Sequence, residues 1–166
     1  MRHLASLTCA ATLLSLLAAV SPAEAAPAPT DRSARVAATT RTDCDDYASH
    51  RVCVVLHRNA KGRVWATASV DKISGKSNHR YAHAYLYSRA CRGTDLTLRA
   101  EKATELDGEK TASARTATIA WDKRVYYQAR VVGGWSKVKY LPSGVMQIKN
   151  RKDVAVATPP LSACPA

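Results

Sequence analysis

The stretch Tyr126-Tyr127-Gln128-Ala129-Arg130-Val131-Val132-Gly133-Gly134-Trp135-Ser136-Lys137-Val138-Lys139-Tyr140 decides the fold class. Apolar and polar residues alternate along both arms, which is the period of a half-buried strand. The central Gly-Gly reads as a two-residue hairpin turn, because both positions tolerate positive φ. The expected register sets Val131 opposite Ser136, Ala129 opposite Val138 and Tyr127 opposite Tyr140 on a buried face. The other face then pairs Arg130 with Lys137 and Gln128 with Lys139, beside Tyr126, Val132, Trp135 and Leu141. Two like charges set directly opposite are unfavourable unless solvent or a partner relieves them. Arg124, Tyr126, Arg130, Trp135, Lys137 and Lys139 are therefore the candidate contact for an anionic partner. Arginines between aromatic planes suit phosphate, sulfate or uronate groups with stacking on a sugar or base. The same residues also fit a solvated basic face that only keeps the protein soluble.

The alternation continues outward in both directions. Strands are expected at 51–58, 63–72, 79–88, 95–104, 110–121, 124–132, 135–141 and 145–149. Leu96 to Leu106 also reads as a helix, but Leu-Thr-Leu-Arg-Ala alternates as a strand does. No useful helix-period stretch and no internal repeat appears. The expectation is an all-β domain, an antiparallel two-sheet sandwich of about seven to eight strands. Asn59-Ala60-Lys61-Gly62 would close a hairpin that sets Val55 opposite Ala66, Cys53 opposite Ala68 and Leu56 opposite Trp65. Cys53, Val55, Val64, Ala66 and Ala68 then form a coherent core face. In the strand from 79, Tyr81, His83, Tyr85 and Tyr87 project to one side, and Ala82, Ala84 and Leu86 to the other. His79 and His83 would lie about 13 Å apart on that strand, too far for one zinc ion.

The run from Tyr126 to Val131, followed by Gly-Gly-Trp-Ser, resembles the last two strands of fibronectin type III modules. Those strands often read aromatic-x-x-x-Arg-Val, a glycine turn, then Trp-Ser. The resemblance covers only Tyr126 to Ser136. It implies an immunoglobulin-like sandwich and, by analogy alone, an adhesive or binding role.

The N-terminus sets the compartment. A short basic start (Arg2, His3), an apolar run from Leu4 to Val20 and the small triplet Ala23-Glu24-Ala25 match a secretory signal peptide over residues 1–25. No transmembrane anchor is expected. Residues 26–42 hold no aromatic, Leu or Ile and read as a flexible linker, leaving 43–166 as the β-sandwich domain. Removing the signal segment removes Cys9 and leaves Cys44, Cys53, Cys91 and Cys164. An even count in an exported chain reads as two disulfides. Cys44–Cys53 closes a short ring, and Cys91–Cys164 ties the C-terminal tail to a loop.

Charge and missing motifs bound the function. Lys+Arg number 25 against 13 Asp+Glu, a formal net charge of +12 that favours anionic partners. Asp43, Asp45 and Asp46 cluster, but they lack the ligand alternation of a calcium loop, and no metal or other cofactor is expected. G-x-S-x-G, H-E-x-x-H and a phosphate-binding glycine loop are all missing. The leading expectation is a secreted, monomeric, non-catalytic module for a cell-wall polymer, acidic polysaccharide, extracellular nucleic acid or cell surface. One alternative is an inhibitor or toxin acting on a protein target. Another is a small nuclease built from a His, a Glu and arginines, tested by their convergence in one cleft.

Overall fold

The computed structural model describes residues 38–108, 111–162 and 164. The expected signal peptide, and the expected linker up to residue 37, lie outside the described residues. Alternating burial along β2 (His50–Arg58), β3 (Arg63–Lys72) and β4 (His79–Ala90) makes each a half-buried strand. The same pattern holds along most of β8 (Val125–Tyr140). The remaining strands are β1 (Thr39–Asp46), β5 (Thr97–Asp107), β6 (Thr111–Arg115), β7 (Ile119–Ala120), β9 (Met146–Ala157) and β10 (Leu161–Ser162). Two antiparallel sheets of five strands pack as a sandwich. The first has the order β1-β2-β3-β6, with β7 also on β3; the second has the order β10-β8-β4-β5, with β9 also on β8.

The core lies between the sheets. Val52, Val54 and Leu56 of β2, Val64, Ala66, Ala68 and Val70 of β3, and Ala82, Ala84 and Leu86 of β4 meet Tyr127, Ala129 and Val131 of β8. Many of these positions are alanine, which matches a chain without phenylalanine. Tyr127 supplies bulk and satisfies its own hydroxyl. That hydroxyl accepts the Asp122 N–H at 2.9 Å and donates to the Ala120 carbonyl at 3.3 Å. Both disulfides form as expected, with Cα separations of 4.2 Å for Cys44–Cys53 and 5.7 Å for Cys91–Cys164.

Gly133-Gly134 is not a turn. The chain runs straight through it, and the expected strands 124–132 and 135–141 are one sixteen-residue strand, β8. Neither glycine has positive φ. They are small because of what surrounds them. A Cβ on Gly133 would lie 2.6 Å from Val70 Cγ2, and one on Gly134 would meet the Lys152 carbonyl oxygen and, at 2.8 Å, Tyr81 Cε1. Val70 of the first sheet and the flanking strands β4 and β9 approach β8 closely there.

Three further corrections concern register and extent. The loop after β2 holds three residues, not four: the Asn59 N–H bonds the Arg63 carbonyl at 3.0 Å, and Gly62 takes φ 65°. This slides β2 by one residue, so Val54 faces Ala68 and Leu56 faces Ala66. Such a one-residue slip exchanges faces, so Val52, Val54 and Leu56 enter the core while Cys53 and Val55 stay outside it. The expected linker boundary at residue 42 is also wrong, since β1 begins at Thr39 and pairs with β2 along its length. The expected strand 110–121 divides into β6 and β7, and the one expected at 145–149 continues to Ala157.

Candidate anion-binding site

The straight course of β8 rearranges the expected binding face. Arg130 and Lys137 share one strand, seven residues and about 23 Å apart. Odd and even positions of a strand face opposite sides, so they also point in opposite directions. Arg124 is held by Asp122 at 3.1 Å. Tyr126 lies under Arg89 with 5.1 Å from guanidinium to ring centroid, and Arg130 lies over Tyr87 at 5.7 Å. Tyr126 and Arg130 belong to the outer face of the second sheet, and Arg124 lies in the turn just before β8. Trp135, Lys137 and Lys139 belong to the other side of β8.

Trp135 anchors a pocket at the end of the sandwich. Its ring stacks on the His50 imidazole, with centroids 4.3 Å apart and planes 13° apart. Tyr47 packs against it at 5.4 Å. The Ala48-Ser49 turn between β1 and β2 sets both partners: Tyr47 N–H donates to the His50 carbonyl at 2.8 Å. The Ser49 carbonyl then accepts the N–H groups of Ile73 and Ser74 at 2.9 and 3.1 Å. Those bonds fix the segment 73–78, which crosses between the sheets and carries Lys76 and Ser77.

His50 is fully buried, and both ring nitrogens are engaged. Ser49 Oγ lies 2.8 Å from Nδ1, and Ser77 Oγ lies 2.9 Å from Nε2. A hydroxyl can donate or accept, so these partners satisfy a neutral ring. Burial, followed by the nearby Arg80 and Lys72 charges, pushes the His50 pKa down to about 4. His50 is therefore an uncharged stacking platform near neutral pH. The unfolded chain protonates at the ordinary histidine value of 6.5, so stability is lost as pH falls from there toward about 4. Thermal melts of wild type and His50→Gln from pH 7 to pH 4 check this. The wild type should lose more stability on acidification, and parallel losses would contradict the assignment.

Lysines surround this aromatic floor. Lys76, Lys137, Asn150 and Lys152 line a cavity of about 260 Å³ together with His50 and Trp135. Lys72 Nζ reaches the Ser77 carbonyl at 3.1 Å beneath it. The strand register places Lys152 opposite Trp135, Lys149 directly opposite Lys137 and Gln147 opposite Lys139. A like-charge cross-strand pair does exist, but it is Lys137–Lys149 and not Arg130–Lys137. Among the described residues no lysine forms an ion pair; Asp46, Asp107, Glu101, Asp122 and Asp153 pair instead with Arg51, His79, His83, Arg124 and Arg151.

Two of the six expected contact residues, Trp135 and Lys137, line the cavity, and Lys139 extends the same side of β8. Arg124, Tyr126 and Arg130 do not join them. His50, Lys76, Lys149 and Lys152 were not expected. Their signal in the sequence is the basic run Lys149-Asn150-Arg151-Lys152. It contains a β-bulge: the β8–β9 register shifts between Trp135 and Lys137, and Asn150 takes φ 54°. Asparagine is among the residues that tolerate this conformation.

Other expected features fall as follows. Tyr81, His83, Tyr85 and Tyr87 do form a row, with His83 and Tyr85 stacked at 4.0 Å. His79 and His83 each meet a separate carboxylate, Asp107 at 2.6 Å and Glu101 at 3.3 Å. Asp46 pairs with Arg51, while Asp43 accepts the Cys44 N–H. No protein-family model matches the chain, and no curated protein matches it either.

Proposed function

We propose that the protein is a secreted module that binds an anionic extracellular polymer through the pocket floored by Trp135 and His50. The observation that carries this reading is the Lys137–Lys149 pair, opposed across two strands beside Lys152 with no ion-pair partner among the described residues. Like charges placed so destabilise the free protein, and an anion at that spot relieves them. The aromatic floor adds a surface on which a sugar or base stacks. Binding here involves no catalysis, because a histidine with its pKa near 4 is a weak base and both its nitrogens are occupied. The signal-peptide reading of residues 1–25 and the two disulfides support export.

The test is binding to heparin and to single-stranded DNA across a salt series. Log affinity should fall linearly with log salt, by about 0.7 for each phosphate neutralised on a single strand. Trp135 fluorescence should change on binding. A salt slope near zero, or an unmoved Trp135 signal at saturation, would overturn the proposal. The nuclease reading gains a cleft lined by His79, Glu105 and Arg151 on the outer face of the second sheet. Glu105, Asp107 and Asp153 crowd that cleft and its rim, and their charge repels a phosphodiester.

A further inference from the structure

That cleft carries a different chemistry. Asp107, His79 and Ser136 stand in one row across β5, β4 and β8, each directly opposite the next in the strand register. Directly paired residues share a face, with Cβ atoms about 5 Å apart. Asp107 Oδ1 lies 2.6 Å from His79 Nδ1, and the Tyr140 hydroxyl donates to Asp107 Oδ2 at 2.5 Å. The carboxylate therefore holds the His79 proton on Nδ1 and leaves Nε2 as an acceptor. Ser136 is 3% exposed, and its Oγ has no hydrogen-bond partner. A buried hydroxyl without a partner is uncommon and asks for an explanation. His79 and Ser136 line one cavity of about 230 Å³, whose wall includes Met146, Ile148 and Arg151.

We propose that Ser136 and His79, positioned by Asp107, form a nucleophile and base for acyl transfer from esters of short apolar acids. The β-bulge at Asn150 sits where the β8–β9 register passes Ser136, and bulges commonly re-aim side chains at such sites. Arg151 follows it, fixed by Asp153 at 2.9 and 3.1 Å, and sets a cation in a wall that also holds Glu105, which suits a neutral ester and not an anionic substrate. Met146 and Ile148 supply an apolar wall for the acyl chain. In the first step Ser136 Oγ bonds to the acyl carbon, its proton passes to His79 Nε2, and the carbonyl electron pair moves onto oxygen beside Arg151. Collapse expels the alcohol, which takes the proton from His79. Water then gives its proton to His79 as its oxygen attacks the acyl carbon. The serine leaves with that proton, and the product is a carboxylic acid. Ser136 also borders the lysine pocket, whereas His79 and Asp107 do not, so the acylation of Ser136 and its dependence on His79 are read separately from anion binding.

The experiment treats the mature, disulfide-bonded protein with an alkyl fluorophosphonate and maps the product by mass spectrometry. The expected result is a single adduct on Ser136, with fluoride released, that disappears in Ser136→Ala and falls at least tenfold in His79→Gln. Hydrolysis of 4-nitrophenyl acetate should follow the same order. Asp107→Asn should lower kcat at least tenfold with KM unmoved, which a merely structural carboxylate would not do. The wild-type result needs no variant to fold. Absence of an adduct at Ser136, or equal labelling in His79→Gln, would overturn the proposal.

Discussion

Exchanging Lys137, Lys149 and Lys152 together for glutamate is expected to abolish retention on heparin at physiological salt. Lys137 and Lys152 line one opening, and Lys149 faces Lys137 across the two strands beside it. A polymer that meets them neutralises all three at once, so the losses compound. On single-stranded DNA, replacing the same three with alanine should lower the salt slope by about 2, at roughly 0.7 per contact. The control is a second triple reversal at Lys61, Lys123 and Arg130. It carries the same net charge but lies away from the pocket. Its elution should move only slightly toward lower salt, as long-range charge alone dictates. Equal elution of the two variants would mean that the net charge of +12 acts without a site.

The second large effect concerns the strand that carries the pocket. Gly134→Ala is expected to destabilise the domain by about 3 kcal/mol, at the upper end for overpacking. A Cβ there lands on the Lys152 carbonyl oxygen, a backbone atom of β9 that cannot turn aside. Gly133→Ala should cost less, because its nearest obstacle is a Val70 methyl at 2.6 Å, which a side-chain rotation can move. Domains are stable by roughly 5–15 kcal/mol, so the Gly134 variant should unfold at distinctly lower urea. Chemical denaturation of both variants checks the order. The reverse order, or no loss in either, would contradict the close approach of β8 to β9.

The Gly-Gly pair also shows why the sheet was legible and its detail was not. Alternation gave the strands on both sides of it, and with them the sandwich. A glycine pair is selected for turns and for close packing alike, and sequence does not separate the two. After Gly134 either parity is plausible: Trp135, Lys137 and Lys139 on one face, or Ser136, Val138 and Tyr140. Only the neighbours Val70, Tyr81 and Lys152 decide it, and they come from three other strands. The β2 register was hidden for a related reason. Val52 to Leu56 is apolar on both faces apart from Cys53, so loop length alone sets the pairing, and Gly62 shortens the loop. β1 was missed because an exposed edge strand of Thr, Arg and Asp has no apolar period to read.

The candidate site was half legible. Residue types near Trp135 pointed to an anion, and the outward row of Tyr81, His83, Tyr85 and Tyr87 followed directly from alternation. His50 was not legible as part of a pocket, because its stacking on Trp135 joins residues from opposite sheets. The Asp107, His79 and Ser136 row was invisible for the same reason. Its members lie on three strands and become neighbours only through register.

Residue-resolved NMR titration with a short heparin oligosaccharide tests the central claim most directly. The indole N–H of Trp135 and the amides of Lys137, Lys149 and Lys152 should shift first and saturate together, while Arg89, Tyr126 and Arg130 stay in place. Shifts confined to Arg89, Tyr126 and Arg130, with Trp135 unmoved, would place the anion on the opposite side of β8 and contradict the site described here.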